Sequence, residues 1–168
     1  MERPVLAAML SCRGYTLSDE EKRFFARSNP LGLNLFGRNI QTPHQLKQLI
    51  DDFKNCIDRD NVLIAVDQEG GRVRRLSEPH WQAYSAEAEI GSLPLPEAKE
   101  ASKLQAALIS HDLSSLGINL NYAPVLDLCH PQTSEVIRNR TFGSNELVVG
   151  TLGKAAVDEY ILSLIHIS

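Results

Sequence analysis

Val62-Leu63-Ile64-Ala65-Val66, followed without a break by Asp67-Gln68-Glu69-Gly70-Gly71-Arg72-Val73-Arg74-Arg75, is the stretch on which the fold turns. Five consecutive apolar residues, bounded by the polar turn 58–61, read as a strand buried on both faces. That is the condition of a parallel sheet covered by helices. The abrupt change to acids, arginines and paired glycines puts a dense polar cluster at the strand's C-terminal end. Ligands of parallel α/β folds bind beyond that end, so residues 67–75 are where function is expected.

The same alternation extends in both directions. Upstream, Thr42 reads as an N-cap, Pro43 as the first helical residue and Gln45 as the third member of a capping box. Leu46, Leu49, Ile50, Phe53 and Ile57 then recur at spacings of three and four, one apolar stripe on a helix. Before it, Leu31-Gly32-Leu33-Asn34-Leu35-Phe36 reads as a strand. Ser18 with Glu21 marks the start of an earlier helix that must stop near Asn29-Pro30, and Val5 to Leu10 reads as the first strand.

Downstream, residues 67–96 form a connection with three prolines and three glycines, long enough to be functional. A helix is expected from about 97 to 116, with Leu104, Leu108, Ile109, Leu113 and Leu116 on its buried side and Gly117 ending it. Ile118 to Val125 reads as the fourth strand, and a last helix begins near Asn145. Four β/α units without hairpin signals require parallel strands and right-handed crossovers. A doubly wound sheet and a (β/α)₈ barrel both satisfy that pattern. At roughly 40 residues per unit the chain matches half of a barrel of about 250 residues.

Composition narrows the function. The chain has 168 residues, 43% hydrophobic and 23% charged, with a net charge of -4. No basic cluster suggests nucleic acid. Cys12, Cys56 and Cys129 have no metal-ligand or disulfide spacing and read as reduced thiols. The N-terminal apolar run is too short for a signal peptide, and no stretch approaches a membrane span. A soluble cytoplasmic protein without metal or cofactor is the expectation.

Among chemistry-bearing residues, Asp67, Glu69 and Asp127 stand just past strand ends. Read from the residues alone, they are candidates for the paired carboxylates of a glycosidase; the other reading pairs them with Arg72 or Arg74 or makes them helix caps. Gly70-Gly71-Arg72 lacks the spacing of a phosphate loop. His44 and His111 fall within helices, His80 beside Trp81 suits surface packing, and His130 has no partner at metal spacing.

Four motifs in order then resemble one family. Val66-Asp67-Gln68-Glu69-Gly70-Gly71-Arg72-Val73 is similar to the signature of the bacterial family 3 β-N-acetylhexosaminidases of cell-wall recycling. Gly32 to Asn39 resembles their second strand, Gly117 to Asp127 their fourth, and Ile137-Arg138-Asn139-Arg140-Thr141-Phe142-Gly143 the loop after it. The resemblance covers about residues 4–158. It implies a TIM barrel and cytoplasmic release of N-acetylglucosamine from anhydro-muropeptides. It also recasts Asp67, with Arg75 and Arg140, as residues that hold the sugar. The family's nucleophilic aspartate and acid/base histidine match nothing here and are expected beyond residue 168. Ser11-Cys12-Arg13-Gly14 departs from relatives that carry an acidic residue there.

These readings divide the chain into residues 1–160, the N-terminal half of the barrel domain, and 161–168, an apolar tail that does not continue the helix pattern and is expected to be foreign to it or a fifth strand. Two other functions stay open: a non-catalytic sugar-binding half-barrel and a family 3 β-glucosidase.

Overall fold

The computed structural model describes residues 4–57, 59 and 61–163. Four strands, β1 (Leu6–Leu10), β2 (Pro30–Leu35), β3 (Leu63–Val66) and β4 (Leu120–Asn121), make one sheet. All three pairings are parallel and the spatial order is β1-β2-β3-β4. That order decides between the two architectures. A doubly wound sheet reverses direction at a switch point, whereas strands laid down in chain order, each by a right-handed crossover, carry their helices on one face and curve as a barrel wall does. The chain has the α/β fold of the N-terminal half of a TIM barrel, with β1 and β4 as its outer strands.

The helices begin and end where local chemistry demands. Helix α1 (Asp19–Ser28) starts on a complete capping box: Glu21 N donates to Ser18 Oγ at 3.2 Å and Ser18 N to Glu21 Oε2 at 3.0 Å. It ends on Asn29 at φ 47°, with Pro30 beginning β2. Helix α2 (Pro43–Cys56) is capped by Thr42, whose Oγ1 accepts from Gln45 N at 3.2 Å. Its Gln45 does not close the expected box; Oε1 accepts from Gln41 N and Nε2 donates to Tyr15 O and Asn39 O. The amide thus stitches α2 to two earlier loops rather than to its own cap. Leu46, Leu49, Ile50 and Phe53 are buried as one stripe, against a core that includes Phe25, Leu33, Leu35, Ile64 and Val66.

The connection after β3 holds a short helix, α3 (Glu87–Gly91), before α4 (Leu95–Ser115). The α4 face turned inward is Ala98, Ser102, Ala106, Ile109, Ser110 and Leu113. Leu104 and Leu108 are on the opposite side, 62% and 39% exposed, against expectation. The reason is the neighbour. Helix α6 (Glu146–Ser163) packs close to α4 through small residues, and Ser102 Oγ donates to Leu152 O at 3.0 Å. Residues 102, 106, 109 and 113 follow helical spacing, and Leu104 lies about 200° round the helix from Ser102.

Strand β4 is only two residues where eight were expected, because Pro124 has no N–H to extend a ladder and the pairing is completed by side chains. Asn119 Oδ1 accepts from Ile64 N at 2.7 Å while its Nδ2 donates to Val62 O at 3.0 Å. A four-residue helix, α5 (Glu135–Arg138), lies before α6. Asn145 caps α6, accepting from Leu147 N and Val148 N. The expected break at residue 161 does not occur: Ile161 to Ser163 are the last turn of α6. Residues 164–168 of the apolar tail lie outside the described residues.

Candidate functional site

The site grows from the exit of β3. Asp67 Oδ2 accepts from Arg75 Nη2 at 2.9 Å, both side chains about a quarter exposed. Arg75 reaches back over eight residues because Gln68 holds the intervening loop. Its buried amide accepts from Arg75 N at 2.8 Å and Leu76 N at 3.0 Å, and donates to Leu76 O at 3.0 Å. Asn121 at the end of β4 grips the backbone of Gln68 from the other side, accepting from its N and donating to its O, each at 3.0 Å.

The turn between them requires its two glycines. Gly70 has φ 110° and Gly71 φ 54°, conformations that L side chains rarely adopt. A Cβ at Gly70 would fall 2.2 Å from Ser85 O, and one at Gly71 2.8 Å from Ala86 Cβ. The loop is pressed directly onto 84–86. Tyr84 anchors that segment to α4 through a 2.7 Å hydrogen bond from its hydroxyl to Asp112 Oδ2; burial first, and this bond second, push the phenol upward.

Glu69, 5% exposed, is met by Arg140 in a bidentate pair, Nε to Oε2 at 2.7 Å and Nη2 to Oε1 at 2.6 Å. The Glu69 hydrogen bond is the main reason that the Arg140 guanidinium is held still more firmly protonated, and the charges of Asp67 and Asp127 add to it. The pairing expected of Glu69 is therefore corrected in detail. Glu69 pairs with neither Arg72 nor Arg74; it is locked to an arginine 71 residues away. Arg72 binds the 136–139 segment instead, through Asn139 Oδ1 at 3.2 Å and Val136 O. Asp127 is exposed, and Tyr122 beside the site is raised by burial first and the Asp67 charge second.

The structure thus brings Asp67, Arg75, Glu69 and Arg140 to the C-terminal ends of β3 and β4. It also adds a residue that sequence reading missed. Glu87 on α3 is 4% exposed; its Oε1 accepts from Val125 N at 3.2 Å and its Oε2 has no hydrogen-bond partner among the described residues. Burial pushes its carboxyl up to about 8, Val125 opposing and the Glu69 charge assisting. Its spacing of three from Ile90 was the available signal, since both face the core. Among the described residues, His44, His111 and His130 are exposed, and exposed His80 meets the Trp81 ring edge-on at 5.7 Å. Cys12 is a buried thiol, pushed up to about 11 by burial first and the Glu21 charge second.

Known proteins share this arrangement of sequence and fold. The beta-hexosaminidase of Psychromonas ingrahamii is 36% identical over 156 residues, which is 93% of this chain and 44% of that protein. The beta-hexosaminidase of Mannheimia succiniciproducens is 36% identical over 155 residues, 89% of this chain and 43% of its own length. NagZ from Neisseria gonorrhoeae, solved in complex with N-trifluoroacetyl-D-glucosamine, matches 95% of the chain at TM-score 0.87 and 31% identity, over 47% of its own length. The chain spans less than half the length of these relatives. Residues 6–160 match the glycosyl hydrolase family 3 N-terminal domain, so the polar cluster at the ends of β3 and β4 is that of a chain belonging to glycoside hydrolase family 3.

Proposed function

We propose that this chain is the sugar-holding part of a β-N-acetylhexosaminidase that releases terminal N-acetylglucosamine, and that Asp67, Arg75 and Arg140 contact the sugar. The observation that carries the reading is the Asp67–Arg75 pair, about a quarter exposed, at the C-terminal end of β3. A carboxylate there can accept hydrogen bonds from two neighbouring ring hydroxyls while Arg75 fixes its orientation. Such contacts strengthen as the ring distorts toward an oxocarbenium ion, so they favour the transition state over the bound ground state. Glu69 supports this by holding Arg140 extended toward the same strand ends.

In this reading residues 1–160 form the N-terminal half of the barrel domain. The nucleophilic aspartate and acid/base histidine lie in sequence beyond residue 168, and the retaining chemistry is theirs. The substrate is an N-acetylglucosaminyl-anhydro-muropeptide in cytoplasmic peptidoglycan recycling; the relatives named beta-hexosaminidase support the sugar. One observation favours a second reading, sugar binding without cleavage: both carboxylates leaving β3 are already committed to arginines.

Asp67→Ala tests the assignment. The variant should fold, with unchanged far-ultraviolet circular dichroism, and lose N-acetylglucosamine affinity by at least about tenfold in calorimetry, the worth of one good polar contact. Unchanged affinity in the folded variant overturns the role of Asp67. Release of a chromogenic aglycone from an N-acetylglucosaminide by the chain extended beyond residue 168, against binding alone, separates hydrolase from binding module.

A further inference from the structure

Glu87 is a buried carboxyl for which the sugar site described above has no use. Its helix α3 touches two site segments at once. Through Oε1 it holds Val125 N at 3.2 Å, two residues before Asp127. Through its backbone it is pressed onto the loop carrying Arg140: Ala88 N donates to Asn139 O at 3.4 Å, and a Cβ at Gly91 would fall 1.9 Å from Phe142 O. Oε2 is buried without a hydrogen-bond partner among the described residues, an arrangement far less costly for a neutral acid than for a carboxylate.

We propose that Glu87 is a positioning residue for the sugar site, holding the 125–127 segment and the Arg140 loop in register as a neutral carboxylic acid. The proposal rests on the reading of Asp67, Arg75 and Arg140 as sugar contacts. The groups facing Glu87 define what its ionisation does. Glu69 comes from the β3 exit, Arg140 from the loop before α6, and Tyr160 from α6. On α3 itself, Glu89 is occupied with Ala86 N. Arg140 is the cation of this set, and Glu69 already holds it at two points. A second carboxylate must either draw Arg140 away from Glu69 or turn to water and release Val125. The first displaces Arg140, one of the sugar contacts; the second frees the segment that carries Asp127.

Nitrogen-15 NMR of this chain from about pH 6 to about pH 10 tests this, because groups coupled to one titration move together. The Val125 amide and the Arg140 Nε–H should shift together with a midpoint near 8, the value to which Glu87 is raised. In Glu87→Gln both should keep their low-pH positions throughout. N-acetylglucosamine affinity, measured by calorimetry over the same range, should fall about tenfold in the natural chain and less than about twofold in the variant. Absence of the coupled shift in the natural chain overturns the proposal without recourse to any variant, as does a transition that survives in Glu87→Gln. Shifts as expected with no sugar binding at any pH overturn the sugar reading and leave Glu87 as the tether of the two segments.

Discussion

The Glu69–Arg140 pair makes an asymmetric prediction. Glu69 is 5% exposed and Arg140 23%, and two short hydrogen bonds of 2.7 and 2.6 Å join them. Arg140→Met keeps most of the apolar stem and removes the guanidinium, leaving a buried carboxylate with no cation. Stranding one partner of a buried pair costs about 3–5 kcal/mol. Glu69→Gln strands the other partner, but Arg140 reaches solvent and retains an amide oxygen to donate to, so the cost is about 1–2 kcal/mol. The double variant should be less destabilised than the two costs combined, by about 1–3 kcal/mol, because the second change removes the charge that the first left unpaired. Urea unfolding at neutral pH, followed by tryptophan fluorescence and circular dichroism, supplies the four free energies of the cycle. The reasoning is refuted if Arg140→Met costs no more than Glu69→Gln, or if the two costs simply add. Either result would mean that the pair is solvated and does not join the β3 exit to the loop before α6.

Three further outcomes follow from particular contacts. Glu87 is raised from 4.5 to about 8, so its neutral form contributes stability that is fully present below about pH 4.5 and is lost as pH rises through about 8; Glu87→Gln should flatten that loss, worth up to ~5 kcal/mol, in a pH series of thermal unfolding, and identical curves would contradict the burial of a neutral acid. Gly70→Ala places a Cβ 2.2 Å from Ser85 O at φ 110° and should cost at least about 2 kcal/mol; a stability within about 0.5 kcal/mol of the natural chain in the same urea assay would contradict the contact. Ser102→Leu, between α4 and α6, should cost about 1–3 kcal/mol by overpacking, whereas Leu104→Glu on the exposed side should change stability by less than about 0.5 kcal/mol; reversed sizes would mean that α4 is rotated.

Elements specified by neighbouring residues were legible in the sequence. Ser18 and Glu21 meet as a capping box, Leu46 to Phe53 are buried as one stripe, and Leu63 to Val66 pair on both sides in parallel. These features rest on spacings of two, three or four residues, which hydrophobic and polar pattern records directly. What failed did so for a partner distant in sequence. Ile109 and Leu113 of α4 are buried as expected, but Leu104 and Leu108, which read as inward because they are apolar, are exposed, since a close helix neighbour selects small residues. The fourth strand is shorter than its apolar run because Asn119 and Asn121 complete the pairing with side chains, which nothing local shows. Short α3 and α5 carry too few turns to show periodicity.

The site divides the same way. That charge gathers after Val66, and that Gly70 and Gly71 make a turn which side chains would block, could be read from the residues alone, since a buried strand must end in polar residues and φ > 0 favours glycine. Motif resemblance is what points to Asp67, Arg75 and Arg140 as the proposed sugar contacts. Only the tertiary structure decided that Arg140 clasps Glu69 across 71 residues, that Arg75 reaches Asp67, and that Glu87 is buried against Val125. The sequence by itself determined which side chains stand at the strand ends; packing decided which charges are paired and which carboxyl is driven neutral, because desolvation and ion pairing act over distances in space that sequence separation does not record.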